Sequence, residues 1–504
     1  MNGKPDLGEE CDDNNLKNDD ACTTMCRTAI CGDGHLCSDP LTCTTGPDGG
    51  REQCDDGNAV SGDGCSMTCA IESDSICRAD PGRESLCRAD NQVSFQGAER
   101  VDPPVTALPT EEYRGVGREV SLVTYHGRLF AGWTEQYRTF ATDGGAHPFV
   151  RRVRVAAMTD IPTSKQFYWE SVEGTAVPGL NSVSGREGQN IKFFLFGDRL
   201  YVTWTEWQVG DINTMRIAVY NDNDANPSWV SIDAQKPFFV KLGGLFSVSA
   251  LPMILNGELL MVWETDTAVH LAAYNGNDAA PDWTERTSWH PTDGTGNVDL
   301  LSSVVFNGKL YISYVHYALS GASRHVDVYT PETPSQPWSH VEGAGLGLPG
   351  VNACKQPQLS VQAQSLTLSC LAYRDIQPGN LASITYNGND AAPAWVGMLR
   401  SNLIPALNYT LTTFNGNTYI AWLEQWVQNS MDSDPTKLRI SIADSSSSLQ
   451  SWSAVDGGSL NAVFGSWGQG MSFATLGNTI FIGWAEASGN VEWGKIHILR
   501  AQSR

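Results

Sequence analysis

The sequence predicts an all-β chain: a seven-bladed β-propeller closed by an N-terminal strand and preceded by a small disulfide-rich irregular domain. Three observations carry this. A pair of short apolar strands around a tight turn recurs seven times after residue 91. Aromatic punctuation recurs with it, at spacings that make each unit four strands long. Eleven of the 13 cysteines lie between Cys11 and Cys87, ahead of the first repeat. Together they divide the chain into residues 1–90 and 91–504.

The seven turns lie at His126-Gly127, Phe196-Gly197, Asn256-Gly257, Asn307-Gly308, Gln364-Ser365, Asn415-Gly416 and Leu476-Gly477. Asn-Gly between alternating strands favours a type I′ hairpin, which needs positive φ at both turn positions. A third strand follows each hairpin, and a second punctuation follows the third strand. It reads Tyr220-Asn221-Asp222-Asn223-Asp224, Tyr274-Asn275-Gly276-Asn277-Asp278 and Tyr386-Asn387-Gly388-Asn389-Asp390, each leading through a proline to Trp229, Trp283 or Trp395. Trp169, Trp338 and Trp452 hold that place elsewhere, so a tryptophan opens each fourth strand. The seventh unit stops after its third strand. Gln92–Ala98, which reads like Trp338–Ala344, is the candidate to complete it from the N-terminus, alongside Lys495–Arg500. Cys354 and Cys370 flank the hairpin of the fifth unit and are expected to pair.

Charge narrows the function. With 33 Lys+Arg against 56 Asp+Glu, the net charge of −23 disfavours nucleic acid and acidic membranes, which need clustered cations. No apolar stretch reaches the roughly 18 residues that a spanning helix needs. Residues 1–90 hold 19 acids and 7 bases, hence −12, but few apolar residues, so cross-links or metal must stabilise them. Dense cysteines imply an oxidising, extracellular or cell-surface location. Met1–Asp6 has no apolar core of a signal peptide, which suggests a mature or excised fragment.

Two stretches of this region superimpose. Cys11, Cys22 and Cys26 match Cys54, Cys65 and Cys69 in spacing, as Glu10-Cys11-Asp12-Asp13-Asn14-Asn15 matches Gln53-Cys54-Asp55-Asp56-Gly57-Asn58. Cys31-Gly32-Asp33-Gly34 opens the second unit, whereas Met1-Asn2-Gly3 stands at that place in the first. Residues 1–72 resemble the myxococcal-type cysteine-rich repeats of secreted bacterial proteins. Eleven cysteines cannot all pair, so a partner from a longer parent protein is expected. The acids Asp12, Asp13, Asn15 and Asp20, and Asp55, Asp56, Asn58 and Asp63, have the chemistry of a structural calcium site, or of simple turn formers.

The second strand of each blade ends in an aromatic-x-polar triplet, and residues two apart on a strand share a face. The polar members are Glu135, Glu206, Thr265, His316, Asp375, Glu424 and Glu486. They either accept hydrogen bonds inside the fold or line one mouth as a ligand site, with Trp207, Trp426 and Tyr317 as stacking faces. No nucleophile elbow, P-loop, zinc motif or sialidase-type Ser-x-Asp-x-Gly-x-Thr-Trp box occurs. The most chemically mixed sector is His316 with Tyr314 and Arg374. The leading expectation is a non-catalytic extracellular recognition or adhesion module that binds a glycan or surface protein. The alternatives are a secreted polysaccharide-cleaving enzyme, lyase or hydrolase, with its site near His316, and a subunit of a surface filament.

Overall fold

A computed structural model gives the fold. It describes residues 3–89 apart from 7, 62–64, 73–74, 79–80 and 83, and the propeller strands and turns between 99 and 502. Within that second span it leaves out 101–110, 140–148, 162–165, 175–178, 182–185, 208–211, 234–237, 243–249, 266–267, 290–296, 319–320, 331–337, 342–352, 363, 374–380, 401–405, 416, 426–435, 446–447, 456–465 and 489–493, with the side chains of some residues at strand ends. No helix among the described residues is long and apolar enough to cross a membrane. Two compact units form: Met1–Gly97 with Ser453–Gly457 and Ala501–Arg504, and Ala98–Trp452 with Gly458–Arg500.

The larger unit is the seven-bladed propeller. Blade 1 runs Glu111–Tyr125, Arg128–Thr139, Phe149–Ile161 and Gln166–Ser171, and blade 4 runs Asn297–Phe306, Lys309–Ala318, Gly321–Tyr329 and Trp338–His340. Each pairs antiparallel in chain order, as do the blades that start at Ala250, Ala353 and Ala406. In blade 2 the outer edge is split: Trp229–Ser231 and Phe238–Leu242 both pair with Ile212–Tyr220. Blade 7 has Ser466–Leu476, Thr479–Ser488 and Gly494–Gln502, and the N-terminal strand Glu99–Arg100 pairs with the last of these, Glu99 opposite Arg500. That is the expected closure. Val93–Gly97, the segment expected to make it, lies outside the described residues.

Positive φ at the hairpins explains the turn residues. Asn256, Asn307 and Asn415 lie near φ 50°, and Gly197 and Asp198 turn together at 54° and 59°, one residue later than the sequence pattern suggests. The innermost strands lock to one another. Ser121, Ser302 and Ser472 each sit four residues before the end of a first strand, and each accepts a backbone N–H from the next blade: Phe193 at 3.0 Å, Leu359 at 2.8 Å and Leu122 at 3.0 Å. The last of these bonds joins blade 7 to blade 1, closing the ring a second time.

The Tyr-Asn-x-Asn-Asp loops clasp neighbouring blades. Asn221, Asn275 and Asn387 each donate through Nδ2 to a carbonyl five residues on, which shapes the loop. The tyrosine hydroxyl then donates to the loop aspartate: Tyr220 to Asp224, Tyr274 to Asp278 and Tyr386 to Asp390. The preceding blade adds Arg128 to Asp224, Arg199 and Tyr201 to Asp278, and Lys309 and Tyr311 to Asp390. Trp229, Trp283 and Trp395 donate Nε1–H to the carbonyls of Val172, Ile232 and Val341 in the blade before, at 2.7–2.8 Å.

Burial pushes the Asp390 carboxyl up, but the bonds from Lys309, Tyr386 and Tyr311 outweigh it and hold the group below its ordinary value. A depressed carboxylate adds stability above its unfolded pKa and loses it as pH falls through the folded value. Melting followed from about pH 5 to about pH 2 should therefore show Asp390→Asn losing less stability over that range than the parent chain. An identical acid limb in the two proteins would contradict the clasp.

In the smaller unit the disulfides are Cys11–Cys22, Cys31–Cys69, Cys37–Cys43, Cys54–Cys65 and Cys77–Cys87, and Cys26 is free. In the propeller Cys370 is disulfide-bonded, and the backbone of Cys354, whose side chain lies outside the described residues, runs beside it opposite Ala372.

Candidate functional site

The second-strand carboxylates that can be placed are struts inside blades. Glu135 is 0% exposed and Glu206 is 2% exposed. Each accepts the indole N–H of the tryptophan two residues before it, Trp133 at 2.8 Å and Trp204 at 3.1 Å. The cross-strand residue opposite each tryptophan is an arginine, Arg154 or Arg216. Arg154 bonds Glu135 and Glu173, and Arg216 bonds Glu206 and Asp233. Tyr137 also donates to Glu135. Burial pushes the Glu135 carboxyl up against the pull of Arg154, and desolvation of Arg154 is outweighed by Glu173 and Glu135, which keep it protonated. Such groups are fully engaged and do not line a mouth.

A similar pairing of a second-strand aromatic with a third-strand Arg or His recurs in blades 3, 4, 6 and 7. Trp263 stacks on His270 at 5.1 Å, Tyr314 on His325 at 5.1 Å, Arg439 lies over Trp422 at 5.7 Å, and Trp484 meets His497 at 5.3 Å. This column of Arg and His residues is the signal that the sequence reading missed. Arg154, Arg216, His270, His325, Arg439 and His497 stand at one position of the third strands, and Arg154 and Arg216 are the internal partners of Glu135 and Glu206.

Two residues further along the third strand, the column is small or apolar: Ala156, Ala218 and Ala272 in blades 1–3, Ser441 in blade 6 and Leu499 in blade 7. Blade 4 alone of these six departs, with Asp327. The fourth-strand residue opposite is Ser171 in blade 1, Ser231 in blade 2 and Glu285 in blade 3, but His340 in blade 4. The equivalence is independent of sequence spacing, because the next residues, Val172, Ile232 and Val341, all accept the indole N–H described above and all bond back to the third strand.

Blade 4 therefore holds an added acid–base set. The Asp327 side chain is 1% exposed, and its Oδ1 lies 2.5 Å from Nδ1 of His340, whose side chain is 39% exposed. Tyr314 donates its hydroxyl to Asp327 Oδ2 at 3.2 Å. The His325 ring is 6.1 Å from that of His340, and Trp289 of blade 3 flanks His340 at 5.7 Å and Tyr314 at 5.1 Å. A buried carboxylate on one imidazole nitrogen fixes the ring's orientation, while the ring itself stays exposed. Asp327 and Tyr314 are buried, His325 is half-buried and His340 is exposed.

The sequence-predicted site residues divide accordingly. Tyr314 is at the heart of this set. His316 stands two residues beyond it on the same strand face, opposite Ser323, and Tyr317 follows; the side chains of both lie outside the described residues, as do those of Glu424 and Glu486. Asp375, Arg374 and Trp426 lie outside altogether. Trp207 is half-buried at the end of its strand, opposite Glu187. Thr265 Oγ1 lies 3.3 Å from His270 Nε2.

Among the N-terminal acids, Asp55 organises a neighbouring turn. Asp55, fully buried, accepts the backbone N–H groups of Gly32, Asp33, Gly34 and Gly57 at 2.9–3.2 Å. A calcium ion at Asp55 would have to displace those donors, so Asp55 does not fit a calcium ligand. In the first unit Asn15 donates to both Asp13 and Asp20, and Asp12 accepts from Asn14 N–H; in the second, Asn58 caps Val60, Asp56 is half-buried, and Asp63 lies outside the described residues. Three described groups cluster closely enough to share an ion, Cys54/Cys77/Cys87, Asp56/Cys65/Cys87 and Glu52/Asp55/Cys69. Every cysteine in them is in a disulfide and offers no thiolate to zinc.

No family profile matches the chain, and no curated protein sequence matches it. Among solved structures it is similar to Trypanosoma rangeli sialidase in complex with the inhibitor DANA, at 12% identity and a TM-score of 0.39 over 80% of this chain and 60% of that one. It is also similar to a glycoside hydrolase family 43 arabinoxylan arabinofuranohydrolase from Bacillus subtilis, at 14% identity and a TM-score of 0.31 over 49% and 62%. A third likeness, to an α-L-arabinofuranosidase from Lactobacillus brevis, has 11% identity and a TM-score of 0.29 over 55% and 94%. The chain spans 60% of the sialidase's length. Likenesses this remote assign no role to any residue.

Proposed function

We propose that the chain is a secreted enzyme that cleaves an acidic polysaccharide by elimination at blade 4. The observation that carries this is the replacement of the Ala/Ser pair of blades 1 and 2 by Asp327 and His340. A buried carboxylate in an otherwise small or apolar column is costly, so its retention beside an accessible histidine speaks for chemistry. His340, oriented by Asp327, takes the proton from the carbon next to a uronate carboxyl group. The released electron pair forms a C=C bond, the glycosidic C–O bond breaks, and the leaving oxygen takes a proton from His325. Trp289 gives a sugar ring a flat apolar face. Hydrolysis by the usual route would need two carboxylates flanking the bond, and the described residues of this sector provide one. Disulfides in both units fit a secreted protein.

The test is incubation of the whole chain with a panel of uronate-containing polysaccharides, followed by ultraviolet absorbance of unsaturated uronate ends. Absorbance that grows with at least one of them supports the reading. If a glycan array shows binding while no polysaccharide yields unsaturated or reducing ends, the elimination reading fails and the recognition module takes its place.

A further inference from the structure

The serine bonds between innermost strands do not continue from blade 2 to blade 3. Ser472 Oγ accepts Leu122 N–H, and Ser121, the neighbour of Leu122, accepts Phe193 N–H, so the bonds pass from blade 7 to blade 1 to blade 2 at one level of the axis. The next member of that series is Lys192, the neighbour of Phe193, four residues before the end of its strand as the serines are. Across the interface, three residues before the strand end like Leu122 and Phe193, stands Pro252, which has no N–H to donate. A serine at 192 would have nothing to accept, so this position is released from the task it has in blades 1, 4 and 7. The position is uncharged in the six other blades, for example Leu251 in blade 3, Gln358 in blade 5 and Thr410 in blade 6.

Lys192 is exposed although it stands between Ile191 and Phe193, both buried, in the middle of an innermost strand. Protein surrounds it closely enough that burial lowers its ammonium from the ordinary value, and no carboxylate opposes the effect. A side chain that is enclosed by protein and still reached by water stands in a channel, and the first strands of a propeller ring its central channel. The ammonium has no hydrogen-bond or ionic partner among the described residues. An unpaired charge in such surroundings is unfavourable, and an anion that enters the channel supplies its partner. Ser121 and Ser472 stand at the same level. Each hydroxyl oxygen accepts a backbone N–H, and its own proton has no acceptor among the described residues. We infer that the propeller axis carries a site for a small oxyanion, phosphate or a carboxylate group, held by the Lys192 ammonium with the Ser121 and Ser472 hydroxyls as further donors. The site shares no residue with the blade 4 set and does not rest on the chemistry proposed there.

The experiment is isothermal titration of the whole chain at neutral pH and fixed ionic strength, with inorganic phosphate and, separately, with acetate. The expected result is saturable binding of at least one of the two, at one anion per chain. Lys192→Ser, which installs the residue of blades 1, 4 and 7, should bind at least about tenfold more weakly, the scale of one charge-assisted hydrogen bond. Lys192→Gln, which keeps a long polar side chain without the charge, should show the same loss, and Lys192→Arg should retain binding. No saturable binding of either anion by the parent chain, or equal binding by the parent and the two uncharged variants, would overturn the site.

Discussion

Asp327→Asn and His340→Ala are each expected to lower the rate of unsaturated-end formation by about 10²–10⁴-fold, the range that a positioned general base supplies. The asparagine keeps the volume and a bond to His340 but removes the negative charge beside the ring, so its loss should fall in the maximal rate and leave substrate binding little changed. Tyr314→Phe leaves the ring in place and removes only the bond to Asp327. Its effect should be smaller, because His340 still holds Asp327 at 2.5 Å. Steady-state kinetics of the three variants checks the order. A Tyr314→Phe loss equal to that of His340→Ala would move the chemistry away from His340.

The largest stability effect is expected at blade 1. Arg154→Met leaves Glu135 and Glu173 buried without their cation, since both carboxylates bond that one guanidinium. Removing one partner of a buried ionic cluster costs about 3–5 kcal/mol, whereas replacing the whole cluster with apolar groups is often neutral. Chemical denaturation should therefore show Arg154→Met unfolding far earlier than the parent chain, and the triple variant Glu135→Leu, Arg154→Met, Glu173→Leu recovering much of the loss. A near-neutral Arg154→Met would mean that the carboxylates are not struts.

Most of the architecture was legible because it is repeated. Turns with positive φ, Asn-shaped loops and a tryptophan opening the fourth strand have local causes, so each repeat announces itself in a few residues. The donated strand was legible because the seventh unit lacks a fourth strand; among the described residues Glu99–Arg100 makes it, and the expected Gln92–Ala98 lies outside them. The cysteine spacing of the N-terminal repeat was legible, whereas the partners of its acids were not. Asp55 looks like a cation ligand by type, and its partners, four backbone N–H groups, carry no side-chain signature.

The candidate site was only half legible. The second-strand triplets singled out blade 4, which carries the candidate site, through Tyr314, yet they also suggested a rim of carboxylates, of which Glu135 and Glu206 are drawn inside by Arg154 and Arg216. Asp327 and His340 carry no motif. They stand out only when third and fourth strands are aligned through their hydrogen bonds, and that register is long-range information.

The most direct measurement replaces the pair with what blades 1 and 2 carry. In the double variant Asp327→Ala, His340→Ser, blade 4 takes the Ala/Ser pair of blades 1 and 2, Ala156/Ser171 and Ala218/Ser231. Elimination at blade 4 predicts a protein at least as stable as the parent, since a buried charge is gone, that forms no unsaturated ends on a polysaccharide the parent cleaves. A double variant that cleaves at the parental rate would contradict it.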